Sequence, residues 1–195
     1  FMKRKFISLL TTALLLTGTV LLPAAAEEST PLQELTLNEV AHSIFYAPQY
    51  AAIELGYFQE EGIELTLVNG FGADKTMTAL LSGDADIGFM GSEAPIYTYS
   101  GGAADAPVNF AQLTQRAGNF LVARQEMPDF EWSDLIGKDV LGGRKGGMPE
   151  MVFEYILMEN GIEPSEVNIN QSIDFGSTAA AFSGGQGEFT VEFEP

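Results

Sequence analysis

The sequence predicts an α/β fold that consists of two similar lobes with mostly parallel sheets, the second lobe being incomplete. Strand-like runs alternate with helical segments after residue 30, a pattern typical of parallel sheets with helices on their faces. The pattern also occurs twice, because residues 56–68 (GYFQEEGIELTLV) resemble residues 155–169 (YILMENGIEPSEVNI). Both stretches run from the end of a helix through Gly-Ile-Glu into a strand.

The spacing of equivalent residues supports this internal repeat. Gly62 and Gly161 lie 99 residues apart, and Pro48 and Pro149, each at the start of a predicted helix, lie 101 apart. Solenoid repeats are much shorter than this, so we interpret the two halves as two lobes that face a shared cleft. A chance similarity between two ordinary βα units is the alternative.

In the first lobe, alternating or apolar runs predict the strands, and Gly and Pro mark the helix ends. The predicted strands of this lobe are residues 35–40, 64–68, 86–90 and 108–114. Its predicted helices are residues 48–55, a helix that Asp74 caps and Gly83 ends, and a short helix from GSEAP to Tyr99.

The second lobe is predicted by the same signals. Its strands are expected at residues 119–124, 138–143, 167–171 and 188–194, and its helices at residues 149–160 and 177–182. The segment 114–119 would connect the lobes. The last strand-like run has no closing helix after it, and Phe1 precedes the first methionine, so we expect the chain to be a fragment of a longer protein.

Residues 1–26 are typical of a secretory signal peptide. Three basic residues are followed by an apolar run over residues 6–22 and by three alanines at 24–26. An N-terminal membrane anchor is the alternative. Residues 27–115 are then expected to form the first lobe and residues 116–195 the second, which would lack its return crossing to the first. The mature protein is expected to be secreted or periplasmic.

Composition excludes several classes of site and partner. The sequence has no cysteine, which excludes disulfides and a lipid anchor, and one histidine, which excludes a multi-histidine metal site. We therefore expect no metal and no cofactor. The formal net charge of −18 argues against nucleic acid and anionic membranes as partners.

Ligands of open α/β sheets collect beyond the carboxyl ends of the strands, so the loops there supply the candidate site. In GGRKGGMPE, glycines allow close backbone approach, a helix N-terminus follows, and Arg144 could bind an anionic group. A mobile, solvated surface turn is the alternative. The candidate ligand-binding residues are Ser43, Phe45, Tyr46, Gly72, Ser92, Glu93, Gln115, Arg144, Gly147, Met148 and Glu194.

The candidate residues do not agree on the charge of the ligand. Aromatic Phe45 and Tyr46 could stack on a flat ligand, although Phe45 could instead fill the core under its loop. Glu93 either stabilises the first turn of its helix or accepts hydrogen bonds from N–H donors of a ligand. Glu194, at the end of the last predicted strand, could also accept such hydrogen bonds. Carboxylates favour an amine or a heteroaromatic ring, whereas Arg144 favours an acid.

Three stretches resemble one family of proteins. FYAPQYAAIELGYFQEEGIELTLV, LLSGDADIGFMGSE and GGRKGGMPEMVFEYIL, with FEP at the end, are similar to periplasmic substrate-binding proteins of ABC importers. The branch is the one that includes nitrate-, sulfonate- and thiamine-precursor-binding proteins, and the resemblance covers residues 35–195.

The resemblance implies a type II periplasmic-binding-protein fold. It also implies that a monomer captures a small organic molecule or oxyanion in the cleft between its lobes and delivers it to an ABC importer permease, without catalysis. The alternative is an enzyme similar to the thiamine-pyrimidine synthases, which share the fold but use a cysteine-rich segment.

Overall fold

Strands and helices alternate along residues 31–116 and 118–193, which are the residues that the computed structural model describes. The strands are β1 Gln33–Glu39, β2 Ile63–Asn69, β3 Ile87–Phe89, β4 Asn119–Ala123, β5 Asp139–Leu141, β6 Asn168–Asn170 and β7 Phe189–Phe193. The helices are α1 Ala47–Glu54, α2 Tyr57–Glu60, α3 Ala73–Ser82, α4 Glu93–Ser100, α5 Met148–Glu159 and α6 Thr178–Ser183. Short 3-10 helices span Ile44–Tyr46, Trp132–Leu135 and Pro164–Glu166.

The strands form two sheets that share one arrangement. The first sheet has the order β2-β1-β3 and is fully parallel. The second has the order β4-β7-β5-β6, in which β6, β5 and β7 are parallel and β4 pairs antiparallel with β7. Because β6-β5-β7 repeats the order β2-β1-β3, the internal repeat read from the sequence is a repeat of structure. The predicted α/β fold with two similar, mostly parallel lobes is confirmed.

Glycines end helices at the positions that the sequence indicated. Gly83 follows α3 with φ of 82°, and its N–H donates toward the last carbonyls of the helix. Gly62 and Gly161, the repeat pair, have φ of 78° and 74°. These left-handed conformations strain residues that carry a Cβ, so the glycines are required by the turns themselves.

The predicted N-cap of α3 is wrong. Gly72 occupies the N-cap position and Asp74 is the second residue of the helix. The Asp74 carboxylate instead pairs with Arg144, which lies 70 residues further along the chain. The Asp74 side chain therefore pairs with a distant arginine and does not cap the backbone of its own helix.

The predicted strand at residues 108–114 is also wrong. The segment forms no strand, and Val108 and Phe110 are 84% and 79% exposed. Its apolar alternation satisfies the sequence pattern of a strand, but a strand also needs a hydrogen-bonded neighbour. Among the described strands, none pairs with this segment.

Each lobe has its own apolar core. The second-lobe core packs α5 on the sheet and contains Leu135, Val140, Phe153, Leu157, Ile162, Val167, Phe189 and Val191. The first-lobe core is smaller and contains Val40, Ala41, Ala73, Met77 and Ala94. Phe175 of the second lobe packs against this first-lobe core, so the two halves share apolar contact as well as charge.

Two sequence predictions lie outside the described residues: the signal peptide at residues 1–26 and the candidate residue Glu194. Within residues 31–116 and 118–193, no helix has both the length and the apolar character needed to cross a bilayer.

The second-lobe core depends on Leu157, which is fully buried on α5. We expect Leu157→Ala to lower the free energy of unfolding by about 2–5 kcal/mol, because it removes buried apolar contacts and leaves a cavity. The control is Met158→Ala, whose side chain is 52% exposed one residue away and whose loss is expected to cost less than about 0.5 kcal/mol. Urea denaturation of the full-length protein measures the free energy of unfolding of both variants. Equal losses of stability would contradict the placement of Leu157 in the core.

Candidate functional site

An ionic cluster joins the two lobes where their loops meet. The Arg144 guanidinium donates to both carboxylate oxygens of Asp74, from Nε at 3.0 Å and from Nη2 at 2.8 Å. Its Nη1 donates to Asp174 Oδ1 at 3.1 Å and to the Ser172 carbonyl at 2.8 Å. Lys75 Nζ lies 2.7 Å from the same Asp174 oxygen. We call these four charged residues, Asp74, Lys75, Arg144 and Asp174, the interlobe ionic cluster.

The pKa values of the cluster agree with its geometry. Hydrogen bonds from Arg144 hold the pKa of the Asp74 carboxyl below its usual range. The Asp74 carboxylate in turn raises the pKa of the Arg144 guanidinium. Both groups therefore stay charged at neutral pH, and the bidentate pair between them is a strong form of ion pair.

Backbone geometry next to the cluster brings the lobes close together. The Phe175 N–H donates to the Phe71 carbonyl at 3.1 Å, which is a main-chain hydrogen bond between lobes. Phe71 has φ of 60°, and its own N–H donates to Asn69 Oδ1 at 2.9 Å. A Cβ at Gly72 would lie 3.1 Å from Arg144 Cγ and 2.7 Å from Asp74 Oδ1. Gly72 is thus required for the close approach of Arg144.

Aromatic side chains continue the contact. The rings of Phe45 and Phe193 meet edge to face at 5.9 Å, and Phe175 lies 5.4 Å from Phe193. Phe45 is 36% exposed, so it is at the contact between the lobes and not deep in the first-lobe core. This position argues against the alternative that Phe45 fills the core under its loop.

The first predicted loop, HSIFYAP, is organised around a buried carboxylate that sequence reasoning missed. Glu39 is fully buried at the carboxyl end of β1. Gln49 Nε2 and the Tyr50 hydroxyl donate to Glu39 Oε2 at 3.0 and 2.9 Å, and His42 Nδ1 lies 3.0 Å from Oε1. The only sequence signal was an acidic residue in the apolar run LTLNEV. With this many partners, Glu39 organises the loop.

Ser43 and Tyr46 lie in the loop that Glu39 organises. Ser43 caps the 3-10 helix, because its hydroxyl accepts from the Phe45 N–H at 3.3 Å. Tyr46 packs edge to face on Phe89 with 4.4 Å between the ring centroids. Burial raises the pKa of the Tyr46 hydroxyl to about 12, with added repulsion from Tyr50, Glu39 and Glu93. The Tyr46 hydroxyl therefore lies near the carboxylates of two different elements.

Glu93, at the start of α4, has a buried carboxylate with an unsatisfied oxygen. The residue is 6% exposed, and its Oε1 has no hydrogen-bonding partner among residues 31–116 and 118–193. Burial raises the pKa of this carboxyl, and the backbone N–H groups of Glu93 itself and of Met148 offset the effect only in part. Met148 belongs to the second lobe, so Glu93 lies where the N-termini of α4 and α5 face each other.

A cavity of about 1020 Å³ opens beside Glu93. Gly91, Ser92 and Met148 line it near the carboxylate, and the exposed segment with Gln115 lines the far side. Ser92 is the N-cap residue of α4, but its side chain makes no capping hydrogen bond to the helix. Its hydroxyl is exposed and does not cap the helix. The structure thus brings Ser92, Glu93, Gln115 and Met148 to one cavity. Arg144 belongs instead to the interlobe ionic cluster, and Gly72 lies beside it.

The GGRKGG loop is held by a second buried acid. Glu150, in the first turn of α5, accepts from Gln171 Nε2 at 2.6 Å and from the Gly146 N–H at 3.1 Å. Gln171 Nε2 also donates to Glu154 Oε1 at 3.0 Å. Burial and the neighbouring Glu154 raise the pKa of Glu150 to about 7. Gly147 is the buried N-cap of α5, so the loop is anchored at both ends.

Carboxylates thus predominate where α4 and α5 meet. The pKa of the Tyr97 hydroxyl on α4 is raised by burial first and then by the charges of Glu150, Glu154 and Glu93. Among the residues that the structure describes, no group of three or more His, Cys, Asp or Glu side chains is placed to hold a metal ion. The arrangement can accept hydrogen bonds in a low-dielectric space between the lobes.

The raised pKa of Glu150 makes stability depend on pH in a defined direction. The folded protein holds the proton up to about pH 7, whereas an unfolded glutamate releases it near its ordinary pKa of 4.5. The contribution of Glu150 is therefore fully present below about pH 4.5 and is lost as pH rises to about 7. We expect Glu150→Gln to remove this loss.

Urea denaturation at a series of pH values measures the effect as the difference between wild type and variant. The control is Glu188→Gln, because Lys138 lowers the pKa of Glu188 and gives a dependence of opposite sign. Stability from Glu188 is lost as pH falls through its lowered pKa. An identical pH profile for wild type and Glu150→Gln would contradict the description of this buried acid.

Two comparisons of sequence identify relatives of the chain. The family described as NMT1/THI5 like matches residues 44–193. YtlA of Bacillus subtilis (strain 168), whose name provisionally classes it as a binding protein, is 49% identical over 173 residues. The match covers 88% of this chain and 52% of YtlA, so the chain spans about half the length of this curated relative.

Solved structures show the same fold. A protein of Bordetella bronchiseptica RB50 superposes with a TM-score of 0.65 at 20% identity, over 86% of this chain and 52% of that one. The alkanesulfonate-binding protein SsuA of Xanthomonas axonopodis pv. citri, solved with MOPS, gives 0.63 at 17% identity over 85% and 56%. The fold is therefore that of the type II periplasmic binding proteins, and the chain belongs to the NMT1/THI5-like family.

Proposed function

We propose that the protein is an extracytoplasmic solute-binding protein that captures a small organic molecule or oxyanion between its lobes and delivers it to an ABC importer. The observation that carries the proposal is the cavity beside Glu93, which first-lobe residues and the segment 105–116 line and which reaches Met148 of the second lobe. The family, and relatives named as binding proteins, support a binding role over catalysis.

The proposal includes the organisation of the chain. Residues 27–115 would form the first lobe and residues 116–195 the second, with the crossing at 114–119 acting as a hinge. A signal peptide at residues 1–26 would direct the protein to the periplasm or the outside. It would act there as a monomer without a lipid anchor, and an importer permease would be its protein partner.

The candidate site residues divide into two groups under this proposal. Ser92, Glu93, Gln115 and Met148 line the cavity and would contact the solute. Phe45, Gly72 and Arg144 would act by holding the lobes together around it. Ser43 would fix the loop that carries Phe45, Tyr46 would lie beside Glu93, and Gly147 would start α5.

Binding is the first test of the proposal. Isothermal titration and thermal-shift assays of the purified full-length protein against amines, amino-substituted rings, sulfonates, phosphonates and nitrate should find a compound that raises the melting temperature in proportion to its concentration. The expected compound is recovered unchanged after incubation. Turnover of a compound, or the absence of binding to every class, would contradict a solute-binding role.

Closure of the lobes should depend on the interlobe ionic cluster. We expect Arg144→Ala to shift the equilibrium toward an open form roughly 5- to 30-fold, because it removes a network of ion pairs worth about 1–2 kcal/mol. The measurement is energy transfer between dyes at Ser82→Cys and Glu159→Cys, at the far ends of α3 and α5. None of the 195 residues is a cysteine, so within this sequence the dyes attach only to the two introduced cysteines.

The matched control is Glu188→Gln, which breaks the Lys138–Glu188 pair at 2.9 Å inside the second lobe. This variant should leave the energy transfer unchanged. If Arg144→Ala and Glu188→Gln behave alike, the ionic cluster does not hold the lobes together.

A further inference from the structure

The chemistry of the cavity carries an inference about the charge of the solute, and it rests on the proposed function. The sequence alone offered Arg144 for an acid and Glu93 for an N–H donor. The structure distinguishes them, because every nitrogen of the Arg144 guanidinium already donates inside the protein, whereas one Glu93 carboxylate oxygen has no partner among the described residues.

Arg144 is already neutralised. Its Nε and Nη2 donate to Asp74, and its Nη1 donates to Asp174 and to the Ser172 carbonyl. An acidic solute would have to displace two aspartates to reach the guanidinium. Arg144 is therefore a closing residue and not the binding group for an anion.

Glu93, in contrast to Arg144, is buried and keeps a carboxylate oxygen, Oε1, that has no partner among the described residues. A Cβ at Gly91 would overlap the Glu93 carboxylate, so glycine at that position leaves the space that the carboxylate occupies. A buried acceptor without a donor is costly unless something else supplies the hydrogen bond. A solute in the adjoining cavity can supply it.

The surroundings of Glu93 add negative charge. Glu150 and Glu154 lie close enough to raise the pKa of Tyr97 together with Glu93, and Lys145 offsets Glu150 only in part. Among the described residues that line the cavity, Arg116 is the one basic residue, and the acids Asp86, Glu93 and Asp105 outnumber it. A sulfonate or phosphonate placed beside Glu93 would lie next to carboxylates of like charge.

The cavity also has apolar walls. Phe89, Met90 and Met148 line it near Glu93. These side chains suit the carbon skeleton of an organic molecule better than they suit a small inorganic oxyanion, which needs donors on every side.

We propose that the solute is a neutral or positively charged organic molecule that donates an N–H group to the Glu93 carboxylate, with its apolar part against Phe89 and Met148. Amines, amidines and amino-substituted heterocycles belong to this class. Alkanesulfonates, phosphonates and nitrate do not.

The test is a titration of the full-length protein with two matched sets of probes. The N–H set is benzamidine, 4-aminopyrimidine and butylamine, and the anion set is methanesulfonate, methylphosphonate and nitrate. We expect at least one member of the N–H set to bind at least tenfold more tightly than every member of the anion set. The panel on the unmodified protein decides the ligand class even if a variant fails to fold.

Glu93→Gln then tests the contact itself. It keeps the shape of the side chain and removes the charge, so we expect N–H probes to lose about 10- to 100-fold in affinity. Glu188→Gln, an exposed acid outside the cavity, should bind as the wild type does. Thermal melting of both variants reports whether they fold.

The outcomes separate this inference from the proposed function. Tighter binding of any anion than of the N–H set would overturn the inference and leave the solute-binding role standing. Unchanged affinity of a folded Glu93→Gln variant for the N–H probes would overturn the role of Glu93. If neither set binds, the proposed function fails its own test and the inference fails with it.

Discussion

The bond between Arg144 and two aspartates is the constraint on which the rest of the site depends. Asp74 lies in the first turn of α3 in the first lobe, Asp174 precedes α6 in the second, and one guanidinium pairs with both. This contact brings the GGRKGG loop against the Gly72 turn. Together with the hydrogen bond from the Phe175 N–H to the Phe71 carbonyl and the contact of Phe45 with Phe193, it holds the lobes against each other. The N-termini of α4 and α5, with Glu93 and Met148, face each other in this arrangement.

Because the basic side chains of the interlobe ionic cluster pair with aspartates, they are not partners of the nearby buried glutamates. The chain is strongly acidic, with a net charge of −18, and the basic groups Lys75 and Arg144 at the contact between the lobes are paired with aspartates. Glu93 and Glu150 are therefore left in a buried, carboxylate-rich space in which burial raises the pKa of both groups. In such a space added negative charge is unfavourable, and a hydrogen-bond donor to the unsatisfied Glu93 oxygen is favourable.

Local chemistry could be predicted from the sequence, and long-range chemistry could not. Gly83 ends α3 and Gly62 precedes β2 because a left-handed turn is a property of a few adjacent residues. The repeat was readable because both lobes need the same turns at the same spacing. Asp74 was assigned to a helix cap because its real partner lies 70 residues away. Residues 108–114 have the pattern of a strand, but pairing depends on a neighbour that no local pattern reveals.

The candidate site shows the same limit. Sequence reasoning selected Glu93, Ser92 and Arg144 as candidates because helix N-termini and glycine loops are local signals. It could not decide between Arg144 and Glu93, because that decision depends on which of them finds partners inside the protein. It also missed Glu39, since an acidic residue at the end of a strand gives no sign of the three side chains that surround it.

A crystal structure of the full-length protein with its solute tests the central claim most directly. The account predicts a solute N–H within about 3.2 Å of a Glu93 carboxylate oxygen, with Arg144 still paired to Asp74 and Asp174. A solute acid bound to Arg144, with the two aspartates displaced and Glu93 facing away, would contradict it.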